Sequence, residues 1–264
     1  MKKEKIFSVY HIIGIIIITA IVSCNSNDSM TKSEETSFKE VITENSIKTC
    51  EEFLITYPNS SYVPKVEKLK HKLLTQSIQN YRIEGLKLGD TVSRINDIFK
   101  QVKYYKVGKG IDAVWSNKAH AVVKLPDNTK LDIHHTAKWL TSLTKELIYR
   151  IHLQQYISKS KTNYSALKKQ KLASFTNILG KPTDIEEGVF NENDYCRTLA
   201  LKVPKNVLTV LYIWGKIDKT KSLKFYNNII DNQIIFMSIS ELTNYFEVNV
   251  IAVDFEIFLN QVAK

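Results

Sequence analysis

One five-residue pattern, Lys-x-Pro-x-Asn, occurs twice in this chain, and it limits the fold more than any other feature. Lys124-Leu125-Pro126-Asp127-Asn128 returns as Lys202-Val203-Pro204-Lys205-Asn206, 78 residues later. Both strings sit between strand-like runs: Ala119 to Leu125 then Thr129 to His134, and Thr198 to Val203 then Val207 to Trp214. Proline ends a hydrogen-bonded ladder because it lacks an N–H, and asparagine tolerates left-handed backbone, so each string reads as the loop of a β-hairpin. A helical pattern precedes each hairpin. The first begins at Gly89-Asp90-Thr91 and carries Val92, Ile95, Phe99 and Val102. The second begins at Ser165, carries Leu167, Leu172, Phe175 and Leu179, and stops at Gly180-Lys181-Pro182, a helix-ending signal. Val92, Ile95 and Phe99 map onto Leu172, Phe175 and Leu179 at an offset of 80, and Gly110 onto Gly188 at 78. Matches in one order, within two residues of a fixed offset, predict a tandem duplication of helix, hairpin and further strands. Leu147 to Leu153, Phe225 to Ile230, Ile234 to Ile239 and Val248 to Phe258 complete the two sheets.

Upstream of that body lies a helical pair. Ile47, Cys50, Phe53, Leu54 and Tyr57 recur at helical spacing behind Asn45 and Ser46, either of which can cap. Tyr57-Pro58-Asn59-Ser60-Ser61 breaks the helix, and Val66, Leu69, Leu73, Ile78 and Tyr81 stripe a second one. The predicted class is α+β: a helical hairpin over 37–84, then two tandem helix-plus-antiparallel-sheet repeats over 85–162 and 163–264. The string from Phe53 to Tyr62 resembles the turn of tetratricopeptide-like hairpins. It is a single unit, whereas arrays of such units need about three to stand alone.

The N-terminus predicts the compartment. Lys2, Lys3 and Lys5 precede an apolar run of 11 residues from Ile12 to Val22. At about 1.5 Å per residue this run is far short of a ~30 Å hydrocarbon core, so it reads as a signal-peptide core rather than a membrane span. The run ends in Ile21-Val22-Ser23-Cys24, which resembles the lipobox of bacterial lipoproteins. The resemblance implies cleavage of residues 1–23 by signal peptidase II and lipidation of Cys24, including acyl chains such as palmitate. Residues 24–36, with few large apolar groups, then form a flexible tether. Two or three acyl chains exceed what lasting membrane attachment requires. The expected location is the bacterial cell envelope, at the outer membrane, with the membrane itself as one partner.

The chain has 37 Lys and Arg against 27 Asp and Glu, a net charge of +10. Removing residues 1–23 takes away three lysines and one glutamate and leaves +8. Export excludes intracellular nucleic acid as the reason for this charge. Acidic lipid head groups, an acidic envelope polymer and an acidic protein remain, as does an ordinary solvated basic surface.

Helix followed by antiparallel strands, twice over, resembles the β-lactamase-inhibitor-protein fold and its one-repeat relatives, the small outer-membrane lipoproteins that assist barrel assembly. Leu88-Gly89-Asp90-Thr91 is similar to the G-x-T helix opening of those lipoproteins, and Leu179-Gly180-Lys181-Pro182-Thr183 to their LG-x-P helix end. The resemblance covers about residues 86–260 and implies a non-enzymatic role in which the sheet presents a concave surface to another protein.

Catalytic signatures are sparse. No G-x-S-x-G, G-x-G-x-x-G, G-x-x-x-x-G-K-[ST], C-x-x-C or H-E-x-x-H occurs. A three-residue loop at Pro126-Asp127-Asn128 pairs Leu125 with Thr129, Val123 with Leu131 and Ala121 with Ile133. That register sets His120 opposite His134, with Asp132 on the same face, and two imidazoles with a carboxylate form a candidate divalent-metal site. Tyr104, Tyr105 and Trp115 are candidate partner-binding aromatics, whereas Trp214 ends an apolar run and reads as core. An oxidising envelope permits a disulfide between Cys50 and Cys196, although their apolar positions also suit two buried thiols. The function expected is a non-catalytic protein-binding module that needs no cofactor. The alternatives are an envelope metal-dependent hydrolase, and a binder of an acidic small ligand or polymer.

Overall fold

The computed structural model describes residues 33–105, 119–136, 145–190, 204, 206–216 and 231–262. The backbone divides into two compact units, Met1–Leu73 and Leu74–Lys264.

The first unit is built from helices: α1 over 33–44, α2 over Ile47–Thr56 and the N-terminal part of α3, which runs over Val63–Asn80. The first helix starts inside the stretch read as tether, so 33–36 are helical and three helices stand where the periodicity predicts two. The physical reason is Phe38 and Val41, three residues apart and therefore on one face. Phe38 stacks on Tyr62 at 4.1 Å between ring centroids and meets Phe53 edge-on at 6.2 Å. Ser60 in the turn before α3 also donates its hydroxyl to Glu34 of α1. Of the two candidate caps, Ser46 is the one used: its Oγ accepts the Thr49 N–H at 3.1 Å. Asn45 takes a left-handed φ of 47° and makes the bend between α1 and α2. Cys50 is a free thiol buried with Val41, Phe53 and Val66, and burial pushes its pKa up. Cys196, the other member of the candidate Cys50–Cys196 pair, lies outside the described residues.

The second unit is α+β. Helices α4 (Ser93–Ile98), α5 (Tyr164–Leu179) and α6 (Phe255–Val262) accompany strands β1 (Lys103–Tyr105), β2 (His120–Leu125), β3 (Thr129–His135), β4 (Ile148–Ser158), β5 (Asp184–Val189), β6 (Leu208–Trp214), β7 (Gln233–Glu241) and β8 (Tyr245–Asp254). The strands form one eight-stranded sheet in the order β1-β2-β3-β4-β8-β7-β6-β5, with every neighbouring pair antiparallel. Among the described residues no helix is long and apolar enough to cross a membrane.

The first hairpin has the predicted register, Leu125 with Thr129, Val123 with Leu131 and Ala121 with Ile133. Asp127 and Asn128 both take left-handed backbone, at φ 57° and 56°. The second hairpin is a correction. One edge of β6 pairs with β5, from Val189 with Leu208 to Asp184 with Ile213, and the other pairs with β7, from Thr209 with Ser240 to Trp214 with Ile235. Both edges of β6 are thus occupied, and residues 198–203 lie outside the described residues.

Two further boundaries move. Helix α4 is only six residues long and ends where the Phe99 N–H reaches the Ile95 carbonyl, so Val102 lies beyond it. The run Val248 to Phe258 changes structure at Asp254, whose Oδ1 accepts the Ile257 N–H at 2.9 Å and opens α6. Phe225 to Ile230 lie outside the described residues.

Helix α5 starts one residue before Ser165, because Asn163 caps it by accepting the Ala166 N–H at 2.9 Å. It ends at Gly180, φ 74°. By register a buried row runs across the sheet through Ala121, Ile133, Ile151, Ala252, Ile235 and Trp214. Trp214 stacks on Phe175 of α5 at 5.3 Å and donates its indole N–H to the Gly180 carbonyl at 2.9 Å. Helix α5 thus covers this face, and the alternate residues of each strand form the other.

Candidate functional site

Strand alternation puts the polar chemistry of β2, β3 and β4 on the face away from α5. His120 stands opposite His134, and Asp132 lies between Val122 and His152 in the next cross-strand row. His134 Nε2 is 3.6 Å from Asp132 Oδ1, His120 Nε2 is 4.0 Å from the same oxygen, and Lys130 Nζ is 3.6 Å from Oδ2. The sequence-predicted trio is brought together, but as a stack. The His120 and His134 rings lie 5.3 Å apart and 21° from parallel, and Tyr105 stacks on the outer side of His120 at 4.5 Å and 11°. Among the described residues no group of three His, Cys, Asp or Glu is placed to hold a metal ion. His120, Asp132 and His134, the residues of the metal-site expectation, thus share one patch of this sheet face.

Two histidines on this face are pushed towards their neutral forms. Burial, first, and the Arg150 charge, second, hold His134 well below the usual histidine range. His152, behind Asp132, is pushed down to about 4 by burial, despite the opposing effect of its 2.9 Å hydrogen bond between Nε2 and Asn249 Oδ1. Asn249 in turn donates to Ser238 at 3.4 Å, and Gln154 donates to Glu247, so a polar ladder continues from β4 across β8 into β7.

Beyond the ladder the same face opens into a groove of about 790 Å³. Lys124 and Lys130 line one side, from β2 and β3, and Tyr156 and Tyr245 line the other, from β4 and β8. The two tyrosine rings meet at 89° with centroids 5.2 Å apart, and the residues are 37% and 40% exposed. Sequence reasoning missed this pair, because its members belong to strands joined only in the folded sheet. The one local signal was the alternation Gln154, Tyr156, Ser158, which puts a polar row on one face of β4.

The candidate aromatics divide. Tyr104 and Tyr105 are adjacent on a strand and so point to opposite faces. Tyr104 donates to Asn96 of α4 at 2.7 Å, and burial raises its phenol pKa. Tyr105 belongs to the polar face, with Lys103 Nζ 4.9 Å over its ring. The two cannot act as one anchor. Trp115 and Cys24 lie outside the described residues.

Comparison with known protein families and with curated proteins finds no match. Among solved structures the chain is similar to a possible transcriptional regulator, YydK, from Bacillus subtilis subsp. subtilis str. 168, at 11% identity and a TM-score of 0.18, over 79% of this chain and 84% of that one. A likeness this slight carries no argument about either fold or function.

Proposed function

We propose that this chain is an envelope lipoprotein, anchored through Cys24 at the outer membrane, whose body is a non-catalytic protein-binding module. The observation that carries the reading is the sheet face turned away from α5. There Tyr105, Tyr156 and Tyr245 stay partly exposed, beside lysines and a polar ladder. Buried polar atoms without hydrogen bonds, His120 Nδ1 and His134 Nδ1 among them, add to the same face a cost that a purely structural sheet has no reason to carry. Partly exposed tyrosines are favoured interface anchors, because they bury much area at little entropic cost.

The architecture proposed with this function is a tandem duplication. Each half is a helix followed by four antiparallel strands, α4 with β1–β4 and α5 with β5–β8, and the halves join through β4 and β8. The palindromic strand order supports it. It equates β2 with β6 and β3 with β7, a different alignment from the one through the repeated Lys-x-Pro-x-Asn string.

The test is in-cell photo-crosslinking from an unnatural amino acid at position 105 or 156, with exposed Lys169 on α5 as the control position. One reproducible protein adduct from the sheet face and none from position 169 is the expected result. Adducts from neither sheet position, at verified incorporation, sink the reading.

A further inference from the structure

We infer that the groove beside Tyr156 and Tyr245 holds an extended acidic segment of the partner protein, with its carboxylates between Lys124 and Lys130 and its apolar side chains against the tyrosines. This inference rests on the protein-binding reading and supplies the chemistry of the partner.

The first argument is the register. Lys124 and Lys130 are directly opposite each other on neighbouring strands. Like charges in that relation destabilise a sheet, whereas opposite charges there stabilise it. Lys130 gains partial relief from Asp132, 3.6 Å away, but Lys124 has no ion pair among the described residues. A carboxylate entering the groove meets both ammonium groups at once and removes the repulsion.

The second argument is the lining. It contains those two ammonium groups and no carboxylate, and its remaining polar groups are uncharged, Asn128 and Asn244 among them. Glu247, the nearest acid on β8, is buried and takes a hydrogen bond from Gln154. The Tyr156 phenol is held above its usual range, chiefly by burial, so it stays neutral and repels no anion.

The third argument separates a peptide from an acidic sugar polymer. Two rings at 89° form a notch for a side chain, not the flat platform on which a sugar ring stacks. The net charge of +8 left once residues 1–23 are removed draws an acidic partner of this kind towards the chain.

The test uses the full-length protein in detergent and a short fluorescein-labelled peptide of alternating glutamate and alanine, read by anisotropy at low salt. The lysine-for-glutamate peptide serves as the negative control. The wild type is expected to bind the glutamate peptide only. Lys124→Glu is the informative variant, because it places a glutamate opposite Lys130 and turns a repulsive cross-strand pair into an attractive one. It is expected to raise the thermal midpoint while weakening the peptide about tenfold or more, so that loss of binding cannot be loss of fold. A double reversal of exposed lysines elsewhere, Lys72→Glu with Lys169→Glu, is expected to leave binding within about twofold.

Equal weakening by that control pair overturns the inference in favour of a diffuse basic surface. Polygalacturonate binding through Lys124 without any glutamate-peptide binding overturns it in favour of a glycan. If the glutamate peptide fails while crosslinks from position 105 persist, the groove assignment falls and the protein-binding reading stands. Failure of both experiments removes both.

Discussion

His152 is a neutral imidazole because the sheet gives it a hydrogen-bond acceptor in Asn249 but no solvent shell for a charge. The consequence is a dependence of stability on pH whose sign follows from linkage. In the unfolded chain the imidazole titrates near its ordinary value of about 6.5, and in the folded chain it does so at about 4. Between those values the unfolded state binds the extra proton, so stability falls as pH drops below about 6.5 and levels off below about 4. The full loss is on the order of 3 kcal/mol, and buried His134 adds to it in the same direction. Urea midpoints measured at neutral and mildly acidic pH should separate clearly in the wild type and by less in His152→Gln, where the contribution of His134 remains; unchanged separation in that variant would falsify the assignment. Trp214 makes a second residue-scale prediction. Its ring is fully buried against Phe175, and its N–H satisfies the Gly180 carbonyl at the end of α5. Trp214→Ala should lower stability by about 3–5 kcal/mol, and Trp214→Phe, which loses the N–H but keeps most of the ring, by about 1–2. Denaturant unfolding measures both. The core role of Trp214 was legible in the sequence because apolar neighbours flank it on its own strand, whereas the stack of Tyr105, His120 and His134 needed three strands to be aligned.

The elements that could be read in advance are those whose signals are local. Helix α5 carries its cap, its stripe and its glycine stop within one stretch of chain, and it forms there within a residue of its predicted start. Asn163→Ala removes the cap and should cost about 1 kcal/mol in thermal or urea unfolding, while Asn163→Asp should cost little. The hairpin of β2 and β3 was legible for the same reason. A short Pro-Asp-Asn loop fixes the register, and period-two alternation then assigns the faces. The second Lys-x-Pro-x-Asn string misled because a turn signal says that the chain reverses, not which strand lies beside it afterwards. Strand β5, arriving from earlier in the sequence, takes the edge of β6 that a local hairpin needs. The change from β8 to α6 was hidden for a different reason. Both sides of Asp254 are apolar, and only the hydrogen bond to the Ile257 N–H marks the boundary. In the first unit, α1 depends on Phe38 and Val41 finding Phe53, Tyr62 and Val66, so its helical start gains little from local sequence.

At the scale of the whole molecule, the proposed anchor makes the last prediction. Cys24→Ser should abolish incorporation of labelled palmitate and move the protein from the membrane fraction to the soluble one; labelling that survives the change removes the lipoprotein reading. Charge and the α+β class are properties that the sequence alone determined. Each depends on composition or on patterns no longer than one element: an excess of basic residues, alternating periods of helix and strand. The tertiary structure decided what such patterns leave open. It chose the strand order β1-β2-β3-β4-β8-β7-β6-β5, set His120 and His134 face to face, sent Tyr104 and Tyr105 to opposite faces, and brought Tyr156 beside Tyr245. The physical reason is common to all of these. Hydrogen bonding between strands and stacking between rings depend on which segments meet, and the free energy of those meetings is shared among residues far apart in the chain.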